Sequence, residues 1–164
     1  MTDISTDISD VTVFLNSYYT TFSTLEVERI APFFYEPCLF ISPQGVVAAA
    51  TDNDVKAVFR AIAESLRSKE YGRSELTNLQ VRRMSDTARL ASGIAVRYKV
   101  SGQELERVGV TYILQRSDTG WRIAVTVIHD ELLTAVHVHP VPAVTVTLFD
   151  EVVELTVWLV GATP

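Results

Sequence analysis

The fold is decided by the stretch from Tyr71 to Asp130, which ends in the segment GWRIAVTVIHD at residues 120–130. Apolar and polar residues alternate along three segments of this stretch, which is typical of β-strands with one buried face. Short turn sequences rich in serine, aspartate and glycine separate the segments. Strands joined in this way form consecutive hairpins, so the stretch predicts the main antiparallel sheet.

Two helices are predicted at the start of the chain. Apolar residues recur there at three- and four-residue spacing, which predicts a helix from Asp7 to about Thr21 with Tyr18 on its buried face. A capping-box pattern that begins at Ser23 predicts a second helix of about three turns. Pro37 should end that helix, because proline cannot continue it.

A small hairpin and a third helix come next. The sequence between Cys38 and Ala49 is aliphatic but is broken at Ser42-Pro43-Gln44-Gly45, which favours a turn. An N-cap cluster at residues 51–54 then starts a helix that should continue to about Ser68. Phe59 lies on the buried stripe of this helix.

The orientation of the later strands follows from their alternation. In the strand after residue 88, Ser92 and Tyr98 belong to an apolar row that should face the helices, opposite Arg89 and Arg97. In the next strand Tyr112 lies on the more apolar row. In the last strand the alternation aligns five residues on one face, namely Trp121, Ile123, Val125, Val127 and His129.

Composition limits the classes of function. The 164 residues fit one domain, with 48% apolar residues, 21% charged residues and a net charge of −6. The arginines are scattered, so we expect no nucleic-acid partner. We also expect no membrane span and no signal segment, which predicts a cytoplasmic protein. The one cysteine, Cys38, has no partner for an internal disulfide and fits a reducing compartment.

The sequence predicts that the chain has two parts. Residues 1–131 contain the predicted helices and sheet. Residues 132–164 form an apolar C-terminal extension that predicts extra strands or an interface element.

The order of elements and the motif from Gly120 to Ile123 resemble the nuclear transport factor 2 superfamily, especially its uncharacterised bacterial members. The resemblance covers roughly Asp7 to Asp130. It implies an α+β fold in which a curved antiparallel sheet forms a cone-shaped barrel around three N-terminal helices. It also implies an apolar pocket at the wide end and a homodimer formed through the outer face of the sheet.

The superfamily includes ketosteroid isomerases, polyketide cyclases and scytalone dehydratases, and the catalytic match to these enzymes is partial. Tyr18 matches the tyrosine on the first helix of ketosteroid isomerases. Their aspartate base falls at Ser42, whose hydroxyl cannot act as a base at neutral pH without a group to activate it. His129 is the nearest match to the histidine of polyketide cyclases. One histidine of the dehydratase pair is missing.

The expected lining of the pocket combines hydroxyls with one imidazole in apolar surroundings, which suits a small hydrophobic ligand. The set is Tyr18, Ser42, Phe59, Ser92, Tyr98, Tyr112 and His129. Taken singly, each tyrosine is better explained as a core aromatic whose hydroxyl bonds to the backbone, and the pocket is suggested by the group as a whole. His129 is the candidate acid or base, with Tyr18 as its catalytic partner, or a strand-end histidine bonded to a carbonyl.

Three hypotheses about function remain open. The first is a domain that binds a small hydrophobic molecule. The second is an enzyme resembling polyketide cyclases, dehydratases or isomerases that uses His129, with Tyr18 stabilising an enolate-like oxygen. The third is a dimeric interaction module whose pocket is filled by its own side chains. We expect no cofactor and no metal, although His137 and His139 share a strand face and could join His129 in a metal site.

Overall fold

The computed structural model describes residues 4–131. The predicted extension at 132–164 and its two histidines lie outside the described residues. Helix α1 spans Ile4–Phe22, so the predicted first helix is confirmed and begins a few residues earlier. It buries one face, which includes Val11, Leu15 and Tyr18.

The second helix is much shorter than its apolar pattern predicts. Helix α2 spans only Val27–Ile30 and continues into a 3-10 turn at Ala31–Phe33. The cause is Pro32, which lacks the N–H group that a helix needs and clashes with the preceding turn. The predicted capping box at Ser23 is also wrong, because the N-cap is Glu26 and its side chain makes no cap bond. The Ser23 hydroxyl instead accepts a hydrogen bond from the Ser74 amide at 2.9 Å.

Helix α3 spans Asp52–Arg67 and begins at the predicted N-cap. Thr51 and Asp54 form a reciprocal capping box, in which each side chain bonds to the backbone amide of the other residue. The hydrogen bonds from Thr51 lower the pKa of the Asp54 carboxyl. Val55, Phe59 and Leu66 lie on the buried face of the helix.

Six strands form one sheet in the order β2-β1-β6-β5-β4-β3. Their bounds are β1 Phe34–Ser42, β2 Gly45–Ala49, β3 Tyr71–Arg83, β4 Ala88–Lys99, β5 Glu104–Ser117 and β6 Gly120–His129. The sheet is mixed rather than purely antiparallel, because β1 and β6 pair in parallel. The predicted hairpin of β1 and β2 is confirmed. The α+β cone fold expected from the resemblance is confirmed, with a sheet that is curved and open.

Strand β4 faces the helices with the row opposite to the predicted one. Ala91 and Ala95 are buried in the core, and Arg97 lies on the same face. Ser92 and Tyr98 therefore point to the other side of the sheet. The inward row carries small residues because the bulky aromatic side chains of the helices and of β5 fill the space above it.

Strand β6 changes its inward row halfway along. Leu114 of β5 pairs with Ile123, but the next residue back, Ile113, pairs with Val125. Ala124 is therefore an extra residue in β6, a β-bulge, and the residues after it point to the opposite faces. Thr126 faces the helices, whereas His129 does not, so the alignment predicted for this strand is wrong beyond Ile123.

None of the helices in the described part of the chain is both long and apolar enough to cross a membrane.

Candidate functional site

A cavity of about 620 Å³ lies between α1, α3 and the inner face of the sheet. Aromatic and aliphatic side chains form most of its wall. The helices contribute Tyr18, Tyr19, Phe22, Val58, Phe59 and Ile62, and the strands contribute Phe40, Ala95, Val110, Tyr112, Thr126 and Ile128. The small inward residues of β4 leave this space open.

A group of aromatic rings in mutual contact forms part of the cavity wall and the core next to it. Tyr18 contacts Phe34 edge to face at 5.6 Å between ring centroids, and Phe34 contacts Phe59 at 5.0 Å. Phe40 joins the same group at 5.8 Å from Phe59. Aromatic pairs prefer such geometries, which stabilise by about 0.5–1.5 kcal/mol beyond the burial of their area. The apolar wall is therefore held in place by α1, α3 and β1 together.

Three buried tyrosines, Tyr18, Tyr19 and Tyr112, lie next to one another in this apolar group. The hydroxyls of Tyr19 and Tyr112 are hydrogen-bonded at 2.7 Å. Within residues 4–131 no group hydrogen-bonds the Tyr18 hydroxyl. Burial raises the pKa of Tyr18 and of Tyr112 well above the usual value, although the positive charge of Arg97 acts in the opposite direction. The phenols are therefore neutral at physiological pH, and each can donate one hydrogen bond.

Charged groups lie at one end of the cavity. Arg97 near the end of β4 and Glu106 near the start of β5 face each other across the two strands and form an ion pair. Both side chains are partly shielded from solvent, with 21% and 33% exposed. Ser42 and Gln44, from the turn between β1 and β2, also line the cavity, as does Lys69 after α3. The cavity thus has an apolar part and a polar end.

Thr126 is a polar residue in the apolar part. It is 7% exposed and lines the cavity next to Tyr112, with which it pairs across β5 and β6. Its hydroxyl is buried and has no hydrogen-bond partner among the residues that the structure describes. Natural proteins leave few such groups unpaired.

The structure brings together four of the seven residues predicted to line the pocket. Tyr18, Ser42, Phe59 and Tyr112 do line it. Ser92, Tyr98 and His129 do not, because β4 presents its other row and the bulge at Ala124 reverses the end of β6. On the outer side of the sheet, the Tyr98 ring lies under the Arg73 guanidinium at 4.1 Å.

His129 is held on the face of the sheet away from the cavity. Its Nε2 atom lies 3.0 Å from the Thr111 hydroxyl, and its Nδ1 atom lies 2.9 Å from the backbone carbonyl of Asp130. A carbonyl only accepts, so Nδ1 is the donor in the contact with Asp130. The arrangement fits a structural strand-end histidine bonded to a carbonyl. His129 is not among the residues that line the cavity.

Sequence reasoning missed Tyr19, Arg97, Glu106 and Thr126 as lining residues. Charge pairing gives a signal for two of them, since Arg97 and Glu106 carry opposite charges at positions that a hairpin would place opposite each other. Thr126 had no such signal, because its orientation depends on the bulge. No group of three or more metal-ligating side chains occurs within residues 4–131.

Comparisons with solved structures agree with this architecture. A protein of unknown function with a cystatin-like fold from Nostoc punctiforme superimposes with a TM-score of 0.66 at 11% identity, covering 79% of this chain and 94% of that one. Aln2 from a Streptomyces species superimposes with a TM-score of 0.66 at 18% identity, covering 84% and 99%. At these identities the likeness concerns the fold.

A third similar structure contains a ligand. A protein from Catenulispora acidiphila in complex with S-DNPA has a TM-score of 0.63 and 16% identity, covering 80% of this chain and 98% of that one. No curated protein shows a significant match to the sequence. A sequence model described as NTF2-like protein (DUF6841) matches residues 9–131, which include all six strands and most of the helical part. The chain therefore belongs to the NTF2-like family DUF6841.

Proposed function

We propose that this domain binds a small, predominantly apolar organic molecule in the cavity. The observation that carries the proposal is the cavity itself, about 620 Å³ in volume, with a wall made mainly of aromatic and aliphatic side chains. Binding sites for small organic molecules typically have volumes of about 300–1,000 Å³ and a few polar groups in an apolar wall. The hydroxyls of Tyr18 and Thr126 are candidate polar contacts for such a molecule.

The alternative of an interaction module without a ligand has less support. That hypothesis requires the protein's own side chains to fill the space between helices and sheet, because empty apolar space destabilises a core. Ala95 and its small neighbours on β4 leave the space unfilled instead. The complex of the Catenulispora protein with S-DNPA gives a precedent for ligand binding on a similar fold.

The enzyme hypotheses have less support because they depend on His129. His129 pairs with Gly109 on the outer face of the sheet and is not among the residues that line the cavity, which argues against its acting as an acid or base there. Glu106 is the one carboxylate among the lining residues that the structure describes, and it is paired with Arg97. We therefore favour binding over turnover.

The test is a fluorescence titration with N-phenyl-1-naphthylamine, a neutral dye that brightens in apolar surroundings. Val58 and Val13 provide a matched pair of helical valines, because Val58 lines the cavity and Val13 is 66% exposed on α1. We expect the wild type and Val13→Trp to bind the dye equally. Val58→Trp should weaken binding about tenfold or more, because the indole occupies the space that the dye needs. Equal binding by both variants, or no binding by the wild type, would overturn the proposal.

The homodimer and the cytoplasmic location stay predictions. Light scattering on the purified chain measures the first directly. A molar mass twice that of the chain supports a dimer.

A further inference from the structure

The charged residues around the cavity differ in balance from the rest of the chain. Among the described residues, those that line the cavity include two cations, Lys69 and Arg97, and one anion, Glu106. The whole chain has 14 lysines and arginines against 20 aspartates and glutamates, with a net charge of −6. The charged lining residues therefore sum to one positive charge, opposite in sign to the net charge of the chain.

The two cations lie at the same end of the cavity. Lys69 belongs to the turn between α3 and β3, and the carbonyl of the next residue, Glu70, accepts a hydrogen bond from the Val100 amide at 2.9 Å. This bond ties the turn to the end of β4, three residues beyond Arg97. The aromatic group around Phe34 lies toward the other end, where Phe34 pairs with Ile123 near the start of β6. The charged side chains thus lie at one end of the cavity beside Phe22, and the Phe34 ring lies toward the other end.

The guanidinium of Arg97 has hydrogen-bond donors that can bind a further partner. Glu106 accepts from its Nη1 atom, and a guanidinium has five N–H donors in a planar fork. Within the described residues no other group accepts a hydrogen bond from this guanidinium. Its Cζ atom lies 5.8 Å from the centre of the Phe22 ring, so one side of the fork is held against the apolar wall. The rest of the fork can receive an acceptor that arrives from the cavity.

We propose that the ligand is an amphipathic organic acid, with an apolar body against the aromatic rings and an anionic oxygen group at Arg97 and Lys69. This inference rests on the proposed function and specifies the class of ligand. Arginine suits this role because its fork matches a carboxylate or sulfonate with two parallel hydrogen bonds. Glu106 holds the guanidinium in position and balances one of the two positive charges while the cavity has no anion.

Two dyes with the same ring system test the inference. N-phenyl-1-naphthylamine is neutral, and 1-anilinonaphthalene-8-sulfonate has the same rings with a sulfonate added. In the Arg97→Gln variant the sulfonated dye should bind about tenfold or more weakly, because a charge-assisted hydrogen bond is lost, whereas the neutral dye should change by less than about twofold. Lys99→Gln is the matched control, since it removes one positive charge from the same strand outside the cavity.

A second variant keeps the test decisive if Arg97→Gln does not fold. Glu106→Gln retains both cations and removes the anion, so it should tighten binding of the sulfonated dye and leave the neutral dye unchanged. The inference is wrong if these variants change the binding of both dyes equally. It is also wrong if they leave the binding of the sulfonated dye unchanged while the neutral dye still binds. In both cases the proposed function is unaffected. Failure of the wild type to bind either dye would overturn both.

Discussion

The phenol hydroxyls of Tyr19 and Tyr112 lie 2.7 Å apart and join helix α1 to strand β5 through the core. Both residues are buried, at 6% and 2% exposure. We expect Tyr19→Phe and Tyr112→Phe each to lower the free energy of unfolding by about 1–2 kcal/mol, since each leaves a buried hydroxyl without this partner. The double variant should lose less than the sum of the two, because no unpaired hydroxyl of the pair remains.

Urea unfolding of the four proteins measures this coupling. Strict additivity of the two single losses would show that the hydrogen bond contributes nothing to stability. A change in the slope of the unfolding free energy against urea concentration would show that the substitutions alter the compactness of the folded or the unfolded state instead.

Stability should fall in alkaline solution because of the buried tyrosines. Burial raises the pKa of Tyr18 and Tyr112 in the folded protein, and the unfolded chain titrates at about 10. Below this pH the phenols are neutral in both states. Above about pH 10 the unfolded chain releases protons that the folded chain retains. The free energy of unfolding therefore falls as the pH rises, until the pH reaches the raised pKa of the tyrosines in the folded protein.

Phenolate absorbance at 295 nm measures the titration. The chain has six tyrosines. We expect the folded protein to show a smaller change near pH 10 than the protein in guanidinium chloride, with the remainder appearing as circular dichroism reports unfolding. Titration of all six tyrosines together, at unchanged circular dichroism, would contradict the burial of these hydroxyls.

The outer face of the sheet carries a tight contact between Gly109 and His129. A Cβ atom at Gly109 would clash with the His129 imidazole ring and would lie 2.8 Å from the Asp130 carbonyl oxygen. Gly109→Ala should therefore lower the unfolding free energy by about 1–3 kcal/mol, because the ring and the backbone must move. Adding His129→Ala should recover part of the loss. A neutral effect of Gly109→Ala in thermal unfolding would contradict the packing of this ring.

His129 should have no part in ligand binding. His129→Gln is expected to leave the affinity for N-phenyl-1-naphthylamine within about twofold of the wild type, because the side chain lies on the other face of the sheet. Fluorescence titration at matched protein concentration measures this. A loss of about tenfold in a variant that is still folded would place the imidazole in the cavity and restore the enzyme hypothesis.

The order of the elements could be predicted from the sequence because it depends on local signals. The N-cap cluster at residues 51–54 and the turn at Pro43 depend on residues that are close in sequence, and the structure has both where the sequence predicts them. The predicted length of the second helix was wrong because of an equally local signal, Pro32. The apolar periodicity on both sides of this proline obscured it.

The site was harder to predict because it depends on which face of each strand is buried. Alternation separates two rows of β4 but does not say which row faces the helices, and the larger apolar residues suggested the wrong one. Ala91 and Ala95 face inward because rings from other elements need the space, which is a property of the assembled core. One inserted residue, Ala124, then reversed the end of β6 and moved His129 out of the cavity.

A crystal structure of the protein with N-phenyl-1-naphthylamine would locate the bound molecule and so decide whether the cavity is the binding site. We expect density for the fused rings between α1, α3 and β5, in contact with Phe59 and Tyr112. The His129 ring should stay on the opposite side of the sheet. Density for the dye elsewhere on the molecule, with the space beside Tyr112 closed by side chains, would contradict the account.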